Sequence, residues 1–236
     1  MVKLSDPTRY SRNQIATVIA LFFHLIGLCG ILWIDRNLFV RLTPLNLLLC
    51  LALVWWTHPR KDRAFYIFMV MAFVTGFAAE VIGVNTGLLF GEYRYGDPMG
   101  PQWMGVPLII GVNWFIIVYC CGVGMETANR LMAGRISGSS PATLNRIRML
   151  SLIIDGALLA TAFDWLMEPA AIRLGFWTWL GSGQIPSFNY LCWFLISALL
   201  LAMFRLLGVV RQNKFAVHLL LIQAMFFLMI QLFLTG

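Results

Sequence analysis

Seven long apolar runs determine what this chain can fold into. A helix that crosses a lipid bilayer needs about 20 predominantly apolar residues. Of the 236 residues 60% are hydrophobic and only 11% are charged, against about 25% charged residues in soluble domains. The runs predict helices at Ile15–Ile34, Phe39–Trp56, Ala64–Leu89, Val106–Leu131, Met149–Ile172, Phe188–Leu207 and Phe215–Leu234. We therefore predict an all-α protein whose single domain, residues 1–236, is a polytopic transmembrane bundle of about seven helices.

The first two runs need separate interpretation. Lys3, Arg9 and Arg12 precede the first run as they would in a signal peptide, but the run is too long and no small-residue cleavage site follows it. It is kept as the first span. The second run is the weakest, because Arg41 and Pro44 lie near its start. That span is predicted to be short or re-entrant.

The net charge of +7 comes from basic residues in the connections between the runs. With seven spans, the amino terminus and the second, fourth and sixth connections hold 13 of the 17 Lys and Arg residues. Because positive residues are retained in the cytoplasm, we predict a multi-pass protein of the cell membrane with a cytoplasmic N-terminus and an external C-terminus. Because membrane topology explains the positions of the basic residues, the positive net charge does not indicate that the protein binds nucleic acid. The fourth connection, Ala133–Asn145, is rich in Gly and Ser and is predicted to be a linker.

Three acidic residues lie in the outer parts of predicted spans. A charge at the centre of a transmembrane helix costs about 2.5–3.5 kcal/mol, so such residues are candidates for function. Asp164 and Glu168 are four residues apart and share a helix face, and Glu80 and Asp164 each lie roughly 24 Å along their helices from the cytoplasmic end. We predict that these three carboxyls meet in one buried site and act in catalysis. Asp155 is nearer the cytoplasmic side and is predicted to make a structural hydrogen bond.

Two external connections are rich in aromatic residues, Gly and Pro. They cover Gly87–Pro98, running on to Pro107, and Gly175–Pro186. Composition alone leaves two readings open: structured caps over the acidic residues, or a belt of interfacial Trp and Tyr side chains. The convergence of the acids favours caps. The candidate substrate-binding residues in or near these connections are Asn85, Tyr93, Tyr95, Asn113, Trp114, Trp177, Trp179 and Asn189.

The sequence contains no motif that is typical of a metal site or of an organic cofactor. His24, His58 and His218 are scattered over different spans and connections without the spacing of metal ligands. The five cysteines include no C-x-x-C pair. We predict a protein without a metal or an organic cofactor.

Two extended motifs resemble a known family. The first reads Glu80-x-x-Gly83-x-x-Thr86-Gly87-x-x-Phe90-Gly91-x-Tyr93-x-Tyr95, followed by Gly105-Val106-Pro107 and Trp114. The second reads Asp164, Glu168-Pro169-Ala170, Gly175-x-Trp177-x-Trp179, Ile185-Pro186 and Asn189. Together they resemble the carotenoid biosynthesis protein family, whose characterised members are carotenoid hydratases of the CruF type and bisanhydrobacterioruberin hydratases. The first span and the last two spans carry no distinctive match.

The resemblance implies hydration without a cofactor. Water would add across the terminal double bond of an acyclic (ψ) carotenoid end group, giving a tertiary alcohol. The substrate would be lycopene, γ-carotene or an acyclic fifty-carbon precursor dissolved in the bilayer. Such a reaction needs a proton donor, for which we take Asp164, and a group that orients water, for which we take Glu80 or Glu168. It also needs aromatic faces to stabilise a carbocation, which Trp114, Trp177, Tyr93 and Tyr95 would provide.

Two other functions fit the same sequence. An isoprenoid cyclase or isomerase would use the same acid but end with loss of a proton instead of capture of water. A non-catalytic carotenoid- or lipid-binding protein, or a transporter with a proton relay, would use the carboxyls differently. A proton relay should have ionisable residues that lead to both faces of the membrane. Towards the cytoplasmic face, Asp155 is the sole such residue in the predicted spans.

Overall fold

The structure is a computed structural model that describes residues 11–133, 140–181, 183–209 and 212–234. The helices in these ranges are α1 (Arg12–Cys29), α2 (Arg36–Arg41), α3 (Thr43–Thr57), α4 (Arg63–Thr86), α5 (Ile109–Ala133), α6 (Pro141–Arg173), α7 (Ser187–Leu206) and α8 (Lys214–Phe233). A π-helical turn, Gly30–Ile34, extends α1. Six of the helices, α1 with its π-helical turn and α4 to α8, are long and apolar enough to cross a membrane. The predicted all-α polytopic bundle is confirmed.

Four short strands lie in the two connections that are rich in aromatic residues. They are β1 (Tyr93–Tyr95), β2 (Gln102–Trp103), β3 (Val106–Pro107) and β4 (Trp177–Trp179). A 3-10 turn, Asp97–Met99, separates β1 from β2. β1 pairs with β4 and β2 pairs with β3, both antiparallel.

The second predicted span is two short helices instead of one. Pro44 lacks an amide hydrogen and is tolerated only in the first turn of a helix, so α2 ends at Arg41 and α3 begins at Thr43. At about 1.5 Å per residue, the 15 residues of α3 extend roughly 22 Å, less than the roughly 30 Å of a bilayer core. This agrees with the prediction that the span is short.

The boundaries around the fourth connection also differ from the prediction. α6 begins at Pro141, with Ser140 as its N-cap residue, whereas the sequence predicted a start at Met149. The middle of the predicted linker, residues 134–139, lies outside the described residues. So do four of the basic residues that carry the prediction of sidedness: Lys3, Arg9, Arg135 and Arg211.

α5 is the central helix of the bundle. Its residues from Trp114 to Cys121 are at most 1% exposed, which requires neighbouring helices on every side. The outer helices instead carry exposed apolar side chains, such as Val18, Leu158 and Leu199, all more than half exposed. These faces suit a lipid environment.

α1 and α8 run in the same direction. Thr17 Oγ1 lies 2.8 Å from His218 Nδ1 near the starts of the two helices, and the rings of Trp33 and Phe233 meet at their ends. The start of α1 and the end of α8 therefore lie at opposite ends of the bundle. Which of these ends faces the cytoplasm stays a prediction.

Candidate active site

A two-stranded sheet joins the two aromatic connections. Tyr93 of β1 pairs with Trp179 of β4, and Tyr95 pairs with Trp177. Side chains alternate between the two faces of a strand, so these four rings share the inward face while Arg94 points outward and is exposed. We call this sheet the aromatic cap. The two connections are thus structured, as the cap interpretation predicted.

Glu80 of α4 accepts hydrogen bonds from three aromatic side chains. The hydroxyl of Tyr93 donates to Glu80 Oε2, and the hydroxyl of Tyr95 donates to the same atom at 2.8 Å. Trp114 Nε1 donates to Glu80 Oε1 at 2.9 Å. The Glu80 side chain is only 5% exposed, so both of its oxygens are satisfied by donors without water. Buried carboxyls are stable only with such partners.

Glu168 and Asp164 lie one turn apart on α6 and have different partners. Trp177 Nε1 and Trp179 Nε1 both donate to Glu168 Oε2 at 2.9 Å. Asn189 Nδ2 of α7 donates to Asp164 Oδ2 at 2.7 Å. The other oxygen of Asp164, Oδ1, is buried and has no hydrogen-bond partner among the described residues. Asp164 thus keeps one acceptor oxygen without a donor among the described residues.

The three carboxyls line one small cavity. Its volume is about 20 Å³, close to the space that a single water molecule needs. No Lys, Arg or His is among the described residues around it. The lining residues are Glu80, Phe90, Tyr93, Tyr95, Ile110, Asn113, Trp114, Asp164, Met167, Glu168, Trp177, Trp179, Asn189 and Trp193. The cavity can hold one water molecule between the acidic groups. It is too small for the end of an isoprenoid chain.

The donors around the cavity are poor proton acceptors. Burial and the neighbouring Glu80 carboxyl raise the pKa of Tyr93 well above its usual value. Its hydroxyl therefore keeps its proton, and the indole N–H groups of tryptophan only donate. Within the described residues, no three His, Cys, Asp or Glu side chains are placed to hold a metal ion.

A stacked pair of indoles forms one wall of the cavity. The rings of Trp114 and Trp193 are 4.0 Å apart and nearly parallel, with an interplanar angle of 13°. Gly76 of α4 packs directly against Trp114, so closely that a β-carbon at this position would overlap the indole. The absence of a side chain at Gly76 is what allows α4 and α5 to bring Glu80 and Trp114 together.

Replacing Gly76 by Ala should therefore destabilise the site. Trp114 is fully buried and cannot move aside, and overpacking of this kind costs about 1–3 kcal/mol. The measurement is the thermal unfolding of the purified protein in detergent. Gly124→Ala is the matched control, because its β-carbon would lie 3.9 Å from Leu159, an ordinary contact. Equal melting temperatures for the two variants would contradict the prediction.

The structure brings the predicted residues together with one exception. The three acids and seven of the eight predicted binding residues line the cavity. Asn85 does not: it is exposed, and its Nδ2 donates to the backbone oxygens of Val81 and Met104. Five residues along an α-helix rotate the side chain by about 140°, which places Asn85 on a different face from Glu80. Asn85 is thus not among the lining residues of this cavity, and its role in binding stays a prediction.

Asp155 accepts a hydrogen bond from Ser151 at 2.5 Å. It is exposed and does not line the cavity. This agrees with the structural role predicted for it.

Four lining residues were not predicted: Phe90, Ile110, Met167 and Trp193. Trp193 had a usable signal, because it follows Asn189 by four residues and so shares its helix face. Phe90 adopts a positive φ of 65°, which points its ring into the site. Such a conformation is not visible in the sequence.

The fold and the site define a membrane-embedded helical protein with a buried cluster of carboxyls beneath an aromatic cap. Residues 42–236 match the carotenoid biosynthesis protein family. The match covers most of the chain, and the chain belongs to this family. The resemblance seen in the sequence motifs is confirmed.

A relative with an assigned activity gives a finer comparison. Bisanhydrobacterioruberin hydratase from Haloarcula japonica is 27% identical to this chain over 161 residues, which are 65% of this chain and 49% of the relative. The match thus spans about half the length of that enzyme. No solved structure matches the chain.

Proposed function

We propose that this protein is a hydratase that adds water, without a cofactor, across the terminal double bond of an acyclic carotenoid end group. One observation is the main support for this proposal. Asp164, whose buried Oδ1 has no hydrogen-bond partner among the described residues, lines a cavity of single-water size, shared with two further carboxyls and lacking any described cationic side chain. Such a site can offer a proton and a water molecule to an apolar substrate. Family membership and the related hydratase support the same reaction.

The hydrogen bonds distinguish the roles of the three acids. Donors directed at a carboxyl favour its ionised form. Among the described residues Glu80 has three such donors, Glu168 has two and Asp164 has one. Asp164 is thus the carboxyl best suited to hold a proton, and Glu80 the one best suited to stay ionised. We assign Asp164 as the general acid.

The proposed reaction consumes one water molecule and regenerates the protonated acid. Asp164 transfers its proton to the less substituted carbon of the terminal double bond, and the π electrons form the new C–H bond. The tertiary carbocation left on the neighbouring carbon is captured by the oxygen of water. The proton lost by that water passes to the carboxylate of Glu168 or Glu80 and returns to Asp164. No oxidation or reduction takes place.

The walls of the cavity suit the cation. Indole and phenol rings attract a positive charge at their faces, by about 2 kcal/mol or more where water is absent. Trp114 and Trp193 present a stacked pair of faces, and the cap adds the rings of Tyr93, Trp177 and Trp179. None of these rings is a base that would remove a proton from the cation.

The substrate end must enlarge the cavity to enter. Tyr95 and Asn113 are half-buried, whereas the three carboxyls are buried. We therefore place the entrance beside these two residues and infer that the aromatic cap shifts to admit the end group. We also retain the predicted orientation, with the N-terminus in the cytoplasm and the C-terminus outside.

The proposal is tested by the product. The protein should be expressed in a bacterium that accumulates lycopene, and the extracted pigments analysed by mass spectrometry. We expect a product heavier than lycopene by one water, with the added oxygen derived from isotopically labelled water. A product of unchanged mass would instead indicate a cyclase or isomerase, and pigment recovered unchanged from a correctly folded protein would indicate a binding protein.

A further inference from the structure

A second, larger cavity lies beside the cavity of the three carboxyls. Its volume is about 420 Å³, within the about 300–1,000 Å³ typical of sites for small molecules. It is enclosed mainly by side chains of α1, α3 and α8, together with Phe39 of α2 and Phe176. No Asp, Glu, Lys or Arg is among the described residues that line it. A charged ligand would find no counterion there, so the wall suits a hydrocarbon. The polar lining residues are His24, Thr43, Asn46 and Gln223.

Phenyl rings form much of the wall of this second cavity. One ring comes from α1, one from α2, one from the residue before β4 and two from α8: Phe23, Phe39, Phe176, Phe226 and Phe227. The faces and edges of aromatic rings pack favourably against other π systems. A hydrocarbon chain with conjugated double bonds gains this contact, and a saturated acyl chain does not. The wall therefore favours an unsaturated chain.

Two contacts place the second cavity at the depth of the acids. Phe176 lines it, and the next residue, Trp177, lines the cavity of the three carboxyls. Phe227 lines it as well, and its ring centroid lies 5.9 Å from that of Phe163. Phe163 directly precedes Asp164 on α6. The two cavities are thus neighbours both at β4 and at α6.

The second cavity also reaches the outer surface of the bundle. Phe23 of α1 and Leu45 of α3 belong to its lining, and they are 46% and 62% exposed. Exposed apolar side chains on a transmembrane bundle face lipid. A hydrocarbon dissolved in the bilayer can therefore enter sideways between α1 and α3 without crossing a polar layer.

We propose that the second cavity holds the hydrocarbon chain of the substrate while its terminal double bond lies at the three acids. The inference rests on the proposed function, because a carotenoid end group at so small a site leaves a long apolar chain to be accommodated nearby. Phe176 and Trp177 stand between the two cavities. Tyr95, beside which we place the entrance, packs against Trp177 with ring centroids 5.9 Å apart. The shift of the aromatic cap that admits the end group would therefore also join the two cavities.

Gly27→Leu tests the inference by filling the second cavity. Gly27 lies on its wall, and a β-carbon there would meet only Phe226, another lining residue, at 3.9 Å. Leu has a higher helix propensity than Gly, so the fold should persist, as the melting temperature will show. Binding of lycopene to the purified protein in detergent is measured by the absorbance of the retained pigment. We expect the affinity to fall by about ten-fold or more, because an overpacked site excludes part of the chain.

Gly124→Leu is the matched control. Gly124 is also a helical glycine whose β-carbon would meet one side chain at 3.9 Å, but it lies on α5 and does not line the second cavity. Its lycopene affinity should stay within about two-fold of the unmodified protein. A second pair of variants acts from the opposite wall. Leu45→Trp should weaken lycopene binding, whereas Leu48→Trp, at an exposed residue of α3 outside the lining, should not.

The hydration assay tests whether the chain determines specificity. The short alkene 2,6-dimethyl-2-octene has the same type of terminal double bond as lycopene but lacks most of the chain. Gly27→Leu should therefore reduce kcat/KM for lycopene by about ten-fold more than kcat/KM for the short alkene. An equal loss for the two alkenes would overturn the inference.

The binding results can overturn it independently. Equal lycopene affinities of Gly27→Leu and Gly124→Leu would do so. Loss of a co-purified phospholipid from Gly27→Leu, with lycopene binding unchanged, would assign the cavity to an acyl chain and so contradict the inference as well. The two proposals fail separately. Lycopene binding that depends on Gly27, without hydration, would leave the cavity as a chain site and remove the proposed function, and hydration without any dependence on Gly27 would do the reverse.

Discussion

Asp164→Asn should reduce carotenoid hydration by at least about 100-fold, because general acids contribute roughly 100- to 10,000-fold to a rate. The change removes the proton but not the hydrogen bond from Asn189, since the amide oxygen of Asn can still accept from Asn189 Nδ2. The fold should therefore persist. The measurement is the rate of formation of the hydrated pigment, together with the melting temperature of the purified variant.

Asp155→Asn is the matched control for this variant. It makes the same chemical change on the same helix, at an exposed residue bonded to Ser151 and away from the cavity. We expect its hydration rate to stay within about two-fold of the unmodified protein, as for most surface substitutions. If Asp164→Asn behaved in the same way, Asp164 could not be the proton donor.

Glu80→Leu should unfold the protein at a markedly lower temperature. Tyr93 and Trp114 are buried and would each lose the acceptor for their donor groups. An unsatisfied buried donor costs about 1–3 kcal/mol, so the free energy of unfolding should fall by about 2–6 kcal/mol. Thermal unfolding in detergent, followed by size-exclusion chromatography, measures the effect.

Two further variants make the Glu80 result specific. Glu80→Gln keeps one acceptor oxygen and should lie between Glu80→Leu and the unmodified protein in stability. Glu92→Ala, at an exposed residue of the same connection, should change the free energy of unfolding by less than about 0.5 kcal/mol. Equal stability of Glu80→Leu and Glu92→Ala would mean that the hydrogen bonds to Glu80 contribute nothing.

The spans could be predicted because each is a long apolar run, and the meeting of the acids because helical periodicity fixes their faces and depths. The four-residue spacing of Asp164 and Glu168 fixes a common helix face, and similar depth along two helices brings Glu80 to the same level. The motif residues Tyr93, Trp114 and Trp177 all reach the cavity. Helical rotation also explains why Asn85 does not line the cavity: it lies about one turn above Glu80 but on a different face of α4.

Other parts of the site depend on tertiary contacts that no local pattern encodes. The pairing of β1 with β4 joins segments about eighty residues apart, and each strand has only three residues. The stack of Trp193 on Trp114 depends on the approach of α5 and α7. Asn46 and Gln223 line one cavity only because α3 and α8 both pack against α1.

The hydrogen bonds to the three acids have a consequence for how the chain is made. Each acid takes its donors from its own half of the sequence: those of Glu80 lie at most 34 residues away, and those of Asp164 and Glu168 at most 25. At roughly 5–20 residues per second, synthesis delivers these donors within seconds of the acid itself. The first half can therefore shield Glu80 as it enters the bilayer, before the second half has left the ribosome. The second half then brings its own donors for Asp164 and Glu168.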